Sequence, residues 1–247
     1  MAERAVPTAA ARLGRPLGDV VSADGVRGVV LLLPGGEAAG TRPPSALALA
    51  AARPLARRLA RAGREHGLVA HVVHYRHRGW NADHPVADAA WAADEVARRY
   101  GSVPVCLAGT GMGARAALRA AGHASVRSVL ALAPWLTAGE EPVKQLAGRR
   151  VLIAHGTDDE RTDPELSYRL AERVKKINQD VCRFEIHTDT HRLRRYRSEI
   201  AALAADFALG SLFGRPFCRP VSDALAAAPP LGLRMPLAQG FGTTLHG

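Results

Sequence analysis

Short apolar runs alternate with longer stretches whose apolar residues recur every three or four positions, through most of the 247-residue chain. Residues 26–33, Val-Arg-Gly-Val-Val-Leu-Leu-Leu, form a nearly continuous apolar run, the pattern of a buried strand. Similar runs at 68–75, 103–108, 126–131, 150–154 and 181–186 predict five more strands. Residues 43–63, 86–100, 112–121, 164–176 and 194–209 predict helices, the first with apolar Leu47, Leu49, Leu55 and Leu59. Strands and helices alternating at these lengths predict an α/β fold: a mostly parallel central sheet with helices on both faces. One domain, 26–213, accounts for all of these elements. Residues 1–25 read as an N-terminal segment with an edge hairpin around 20–21. Residues 214–247, rich in Pro, Gly and Ala, read as a tail, either disordered or draped over the body. One turn of helix is expected near 222–228, and Phe213, Phe217 and Met235 offer apolar grip.

Composition narrows the function classes. The longest apolar runs, 29–33 and 46–52, are too short to span a bilayer, and the first seven residues lack the apolar region of a secretory signal. Cys106, Cys182 and Cys218 are odd in number and widely spaced, which fits neither a disulfide framework nor a metal pattern and suits a reducing cytoplasm. A cytoplasmic protein with no membrane partner is expected. The net charge of +10 invites a nucleic-acid partner, but lysine occurs only at 144, 175 and 176, and aromatics are 5% with no base-stacking motif. No nucleic-acid partner is expected, and the charge reads as the arginine-rich surface of a metabolic protein. An oligomer is left open.

The chemistry concentrates in a glycine knot, Gly109-Thr110-Gly111-Met112-Gly113-Ala114, between a predicted strand and a predicted helix. As G-x-G-x-x-A it matches a dinucleotide fingerprint. That motif needs an acidic residue about 20 residues on, at the end of the next strand. The next strand ends Leu130-Ala-Leu-Ala-Pro-Trp135, and no carboxylate appears before Glu140. Written as G-x-S-x-G, a nucleophile elbow, it lacks only the serine. An elbow requires an acid after a later strand and a histidine after the strand beyond it. His155-Gly156-Thr157-Asp158-Asp159 and Thr188-Asp189-Thr190-His191 stand at those two places, and the Gly-rich loop Pro34-Gly35-Gly36 follows an early strand.

In that order these stretches resemble the α/β-hydrolase superfamily, in its dienelactone-hydrolase-like and small serine-esterase-like members, over roughly residues 26–212. The stretch His74-Tyr75-Arg76-His77-Arg78-Gly79-Trp80-Asn81 is similar to that family's D-Y-R-G-x-G-x-S loop. The resemblance implies the α/β-hydrolase fold with no large cap domain, because 134–149 is short where many relatives insert one. It implies His191 as base, Asp159 as its orienting acid, and the backbone N–H groups of Gly36 and Met112 as oxyanion donors. No cofactor and no metal are implied.

The departure falls at the nucleophile, where Gly111 leaves the serine position vacant. Removing the serine from such an enzyme costs about a millionfold in kcat. An ordinary serine esterase is therefore not expected. Cys106 lies five residues early and reads as a core thiol, Ser102 is at the wrong end of its strand, and a threonine at 110 leaves the turn in another direction. A water over Gly111, activated by His191, is the better replacement. Two readings follow. One is a diverged enzyme in which the dyad does acid/base chemistry on a small carbonyl-bearing substrate. The other is an inactive binding or scaffold protein that uses the old pocket.

Thr110, Trp80, Trp135 and Arg192 are the candidate substrate contacts. Arg192, Arg194, Arg195 and Arg197 crowd the predicted start of the last helix, where cations oppose the helix dipole. Arg53, Arg57, Arg61 and Arg64 fall on one helical face that reads as solvent-exposed. His71, His74 and His77 suggest metal, but in a strand 71 and 74 point to opposite faces and 71 and 77 stand about 20 Å apart. His187 and His191 lack a third ligand.

Overall fold

The structure is a computed structural model that describes residues 10–19, 22–138 and 141–243. The expected hairpin around 20–21 lies outside the described residues. Among the described residues eight strands, β1 (Arg12–Leu13), β2 (Gly28–Leu33), β3 (Leu68–His74), β4 (Val105–Thr110), β5 (Val126–Leu132), β6 (Arg150–Gly156), β7 (Val181–Ile186) and β8 (Met235–Pro236), form one sheet in the order β1-β3-β2-β4-β5-β6-β7-β8. Only β1 runs antiparallel, against β3. Six helices cover it: α1 (Ala46–Ala62), α2 (His84–Tyr100), α3 (Met112–Ala120), α4 (Pro164–Lys175), α5 (Arg197–Phe213) and α6 (Arg219–Ala226).

The two-residue period of each strand divides the core. Val29, Leu31 and Leu33 of β2 pack with α2, α3 and α4, while Val30 and Leu32 pack with α1, α5 and α6. Strands β4, β5 and β6 repeat this: Leu107, Val129 and Ile153 face one side, Cys106, Leu130 and Leu152 the other. A sheet buried on both faces needs the near-continuous apolar runs that the sequence shows. The chain leaves β2 toward β3, then returns past β2 to build β4 and everything beyond. Ligands of open α/β sheets bind at such a reversal, beyond the carboxyl ends of the strands. Here the reversal brings the loop after β2 beside the turn after β4.

Leu47 lies in the first turn of α1 and is 78% exposed. One expectation needs correction. The last large helix starts at Arg197, not 194, because the buried Asp189 carboxylate accepts the backbone N–H groups of Arg195 (3.0 Å) and Tyr196 (3.2 Å). The cations at 192, 194 and 195 thus precede the helix, and a carboxylate sits at its start, as the dipole favours. Of the two alternatives open for 214–247, the segment is ordered against the body through residue 243, where it carries α6 and an eighth strand. Asp206 accepts the backbone N–H of Cys218 to start α6, and the buried Lys175 ammonium caps its end through Leu225 O at 2.7 Å. Phe217 stacks on Phe207, with ring centroids 6.2 Å apart. Arg53, Arg57, Arg61 and Arg64 are all exposed. No helix among the described residues is long and apolar enough to cross a membrane.

Candidate active site

Strand β4 ends at Thr110 and α3 starts at Met112, so one residue makes the whole turn. That residue, Gly111, has φ +54° and ψ −117°. An L side chain there is strained, and glycine is not. Its N–H donates to Leu132 O (3.0 Å), and its carbonyl accepts from Trp135 N (3.0 Å) and Arg115 N (3.2 Å). The flanking glycines serve a different need. A Cβ on Gly109 would collide with the backbone of Gly113, and one on Gly113 with the carbonyl of Leu33. The knot is tight because β2, β4 and α3 meet there backbone to backbone.

A Cβ on Gly111 would stand 3.4 Å from His191 Nε2 and 3.6 Å from His191 Cε1. Apart from the chain neighbours, nothing else among the described residues comes within 4 Å of that point. Through residue 243 the C-terminal segment therefore comes no closer than 4 Å to that point. The other ring nitrogen, His191 Nδ1, lies 2.9 Å from Asp159 Oδ2. The loops that carry the two residues are zipped together: Asp158 N donates to Asp189 O (3.1 Å), and a Cβ on Gly156 would strike that same carbonyl. Thr188 and Leu193, on either side of His191, both have positive φ (59° and 47°). Non-glycine residues rarely adopt this region, so the histidine loop stores strain.

Asp159 is buried and fully engaged. Oδ1 accepts from the backbone N–H groups of Arg161 (2.9 Å) and Thr162 (3.0 Å). Oδ2 accepts from Thr162 Oγ1 (2.7 Å), stands 2.9 Å from His191 Nδ1, and lies 3.1 Å from His155 Nε2. Burial alone pushes the carboxyl up, but the bonds from Thr162, His191 and the two amides outweigh it and hold it below the ordinary value. His155 is fully buried, and burial brings it down to about 4 against the pull of Asp159. It is therefore neutral in the folded chain at neutral pH. The unfolded chain takes up this proton below about pH 6.5 and the folded chain does not. Stability is thus expected to be full above 6.5 and to fall by about 3 kcal/mol as the pH drops toward 4. Urea denaturation at pH 7, 5.5 and 4.5 measures this; a His155→Gln variant with the same slope would refute the assignment.

The Gly-rich loop after β2 reaches the turn from the other side. Met112 packs its thioether against Gly36, and among the described residues the N–H groups of Gly36 and Met112 have no hydrogen-bond acceptor. The 74–81 stretch staples this loop: Glu37 N donates to Arg78 O (2.9 Å), Trp80 N to Glu37 O (3.0 Å), and Asn81 Nδ2 to Gly40 O (2.7 Å). Thr110 is exposed beside the same loop, its hydroxyl 3.7 Å from where a Cβ on Gly35 would stand.

The other candidates fall as follows. Arg192 is exposed next to His191. Trp80 and Trp135 meet edge to face at 6.1 Å, but they grip Arg115, whose guanidinium lies 4.3 Å from the Trp80 ring centre and 5.1 Å from that of Trp135. Arg115 is 8% exposed and pairs with Glu141 at 2.6 Å. Sequence reasoning missed this plug. Its one signal is an arginine four residues past the turn in an alanine-rich helix. Cys106 is a core thiol, which burial pushes up to about 12. His71 bonds Gly14 O and the Tyr100 hydroxyl, both at 2.8 Å. Among the described residues no three His, Cys, Asp or Glu side chains are grouped to hold a metal.

No protein-family model matches the sequence, and no curated protein matches it either. Solved structures do. An esterase from Pyrococcus furiosus superposes with a TM-score of 0.62 at 15% identity, over 76% of this chain and 83% of its own. A serine hydrolase without a lid from Xanthomonas campestris gives 0.60 at 18% identity, over 83% and 89%. A monoacylglycerol lipase from Paleococcus ferrophilus gives 0.59 at 16%, over 81% and 99%. The chain has the α/β-hydrolase fold. The β5–β6 connection spans 133–149, too few residues for a cap domain, and among its described residues carries one short turn of helix, Lys144–Leu146.

Proposed function

We propose that this α/β-hydrolase-fold protein is an enzyme that has given up the serine nucleophile and kept the rest of the machinery. In this reading Gly111 occupies the serine position, His191 is the general base, Asp159 orients it, and the Gly36 and Met112 N–H groups receive developing negative charge. The observation that carries it is the 3.4 Å between His191 Nε2 and the empty Cβ position of Gly111, with Asp159 bonded behind the ring. A decayed site has no reason to hold a base against a vacant position or to clamp its acid with five donors.

The chemistry follows from what is present. A small carbonyl-bearing substrate rests its oxygen against the two amides. His191 Nε2 takes a proton, either from a carbon next to the carbonyl or from a water lying over Gly111. Charge moves onto the carbonyl oxygen as enolate or tetrahedral oxyanion. Asp159 stabilises the imidazolium, which then returns the proton to product. Lyase, isomerase, cyclase or water-mediated hydrolase reactions all fit this sequence. A positioned base contributes about 10²–10⁴-fold, and one oxyanion donor about 10²–10³-fold. Restoring the hydroxyl tests the reading: Gly111→Ser should become reactive toward a fluorophosphonate while the native chain stays unmodified. A folded, unreactive Gly111→Ser favours the inactive binding protein.

A further inference from the structure

Asp159 touches a second imidazole, and the fold builds a chain of polar groups behind that ring. His155 Nδ1 lies 2.9 Å from Ser167 Oγ of α4. Ser167 Oγ receives the Arg183 Nε–H at 3.0 Å and stands 2.8 Å from Pro164 O. Arg183 is buried in β7 and anchored by Glu185 Oε1 and Leu233 O, both at 2.9 Å.

These contacts settle where the His155 proton belongs. Arg183 can only donate and Pro164 O can only accept, so the Ser167 hydroxyl has one proton and two candidate acceptors. If that proton goes to Pro164 O, His155 must donate Nδ1–H to Ser167. Its bare Nε2 then faces Asp159 Oδ2 at 3.1 Å and Thr162 O at 3.2 Å, acceptor against acceptor, and the Thr162 hydroxyl, also 3.2 Å away, could donate to it only by giving up its 2.7 Å bond to Asp159. If the hydroxyl donates to Nδ1 instead, the ring carries its proton on Nε2 and gives it to Asp159. Pro164 O still has Arg183 Nη2 at 3.2 Å. The second arrangement leaves the neutral Ser167 Oγ–Pro164 O contact at 2.8 Å without a proton, whereas the first sets a bare ring nitrogen against the ionised Asp159, so the second costs less.

We infer that His155 is a positioning residue: by donating Nε2–H to Asp159 it fixes the carboxylate oxygen that faces His191 and limits the negative charge His191 feels. The inference rests on the reading of His191 as base. The charged groups facing this relay are Asp159 from the loop after β6, Arg183 and Glu185 from β7, and, outside them, Glu165 of α4 and Arg234. Losing the His155 donor concentrates charge on Oδ2 and favours protonated His191.

Proton-detected nitrogen spectra of the histidine rings test this without a known substrate. In the native chain at pH 7, His155 should show the Nε2–H tautomer; the Nδ1–H tautomer overturns the inference and needs no variant. His155→Leu should move the His191 Nδ1–H signal, because the carboxylate oxygen it faces loses a donor, and His155→Gln, whose amide restores a donor, should bring the signal back. A purely structural role would lower the melting temperature of both variants and leave the His191 Nδ1–H signal where it was. That result in folded His155→Leu also overturns it. If Gly111→Ser proves unreactive, the base reading fails while the tautomer stands on its own; a reactive Gly111→Ser with an Nδ1–H tautomer removes only this inference.

Discussion

Gly111→Ser is expected to convert an inert chain into one that forms a covalent fluorophosphonate adduct at the introduced serine. Intact-mass spectrometry would show it. At φ +54° a side chain on residue 111 projects toward His191, and among the described residues the new Cβ meets just the Nε2 edge of that ring. The hydroxyl, one bond beyond, can swing into hydrogen-bond reach. Strain should cost the variant about 1–3 kcal/mol, so it should fold with a lowered midpoint. Adding His191→Ala should slow the labelling by about 10²–10⁴-fold, the usual worth of a general base. Equal rates with and without His191 would mean a merely exposed hydroxyl, and the proposed base would be wrong.

Most of this site could be read from the chain because its parts sit in loops that follow strands, and strands announce themselves. The burial of Val29 to Leu33 on both faces of the sheet is carried by the residues themselves. Asp159 and His191 were found through the order of their loops, each one strand further on. What stayed hidden depends on partners remote in sequence. Arg115 looks like a surface residue in Ala-Arg-Ala-Ala-Leu-Arg, and only the approach of Trp80, Trp135 and Glu141 makes it a buried plug. His155 looked like part of a motif, and its role depends on Ser167 and Arg183 from two other elements. Strand β8 is two residues long and contains Pro236, which no local pattern marks as a strand; it exists because the edge of β7 offers Phe184 and Glu185 for pairing. The start of α5 was misplaced because Asp189 captures two backbone amides from outside the helix.

Asp159→Ala is the substitution expected to cost the fold most. It strands the Thr162 hydroxyl, the His191 and His155 rings and the amides of Arg161 and Thr162 around a buried void. Removing one member of a buried charged network typically costs about 3–5 kcal/mol, and urea denaturation should show that loss as a lower midpoint. Asp159→Asn separates stability from reactivity. Its shape is right, but its amide turns a donor toward donors, so His191 is driven to the tautomer with Nδ1 bare. In a Gly111→Ser background this variant should keep most of its stability and lose about 10⁴-fold in labelling. The wild-type carboxylate also has a pH signature distinct from that of His155. Its pKa is lower folded than unfolded, so its contribution is present above the ordinary carboxylate range and is lost only as the pH falls through the folded value. Acid should therefore weaken the chain in two stages, His155 first from about pH 6.5 and Asp159 below about 4. Asp159→Ala should shrink the second stage and leave the share of Glu95 and Glu199, whose carboxyls are also held low. A variant that loses less than about 1 kcal/mol and keeps both stages undiminished would show that the carboxylate is not the clamp that holds the two histidine loops together.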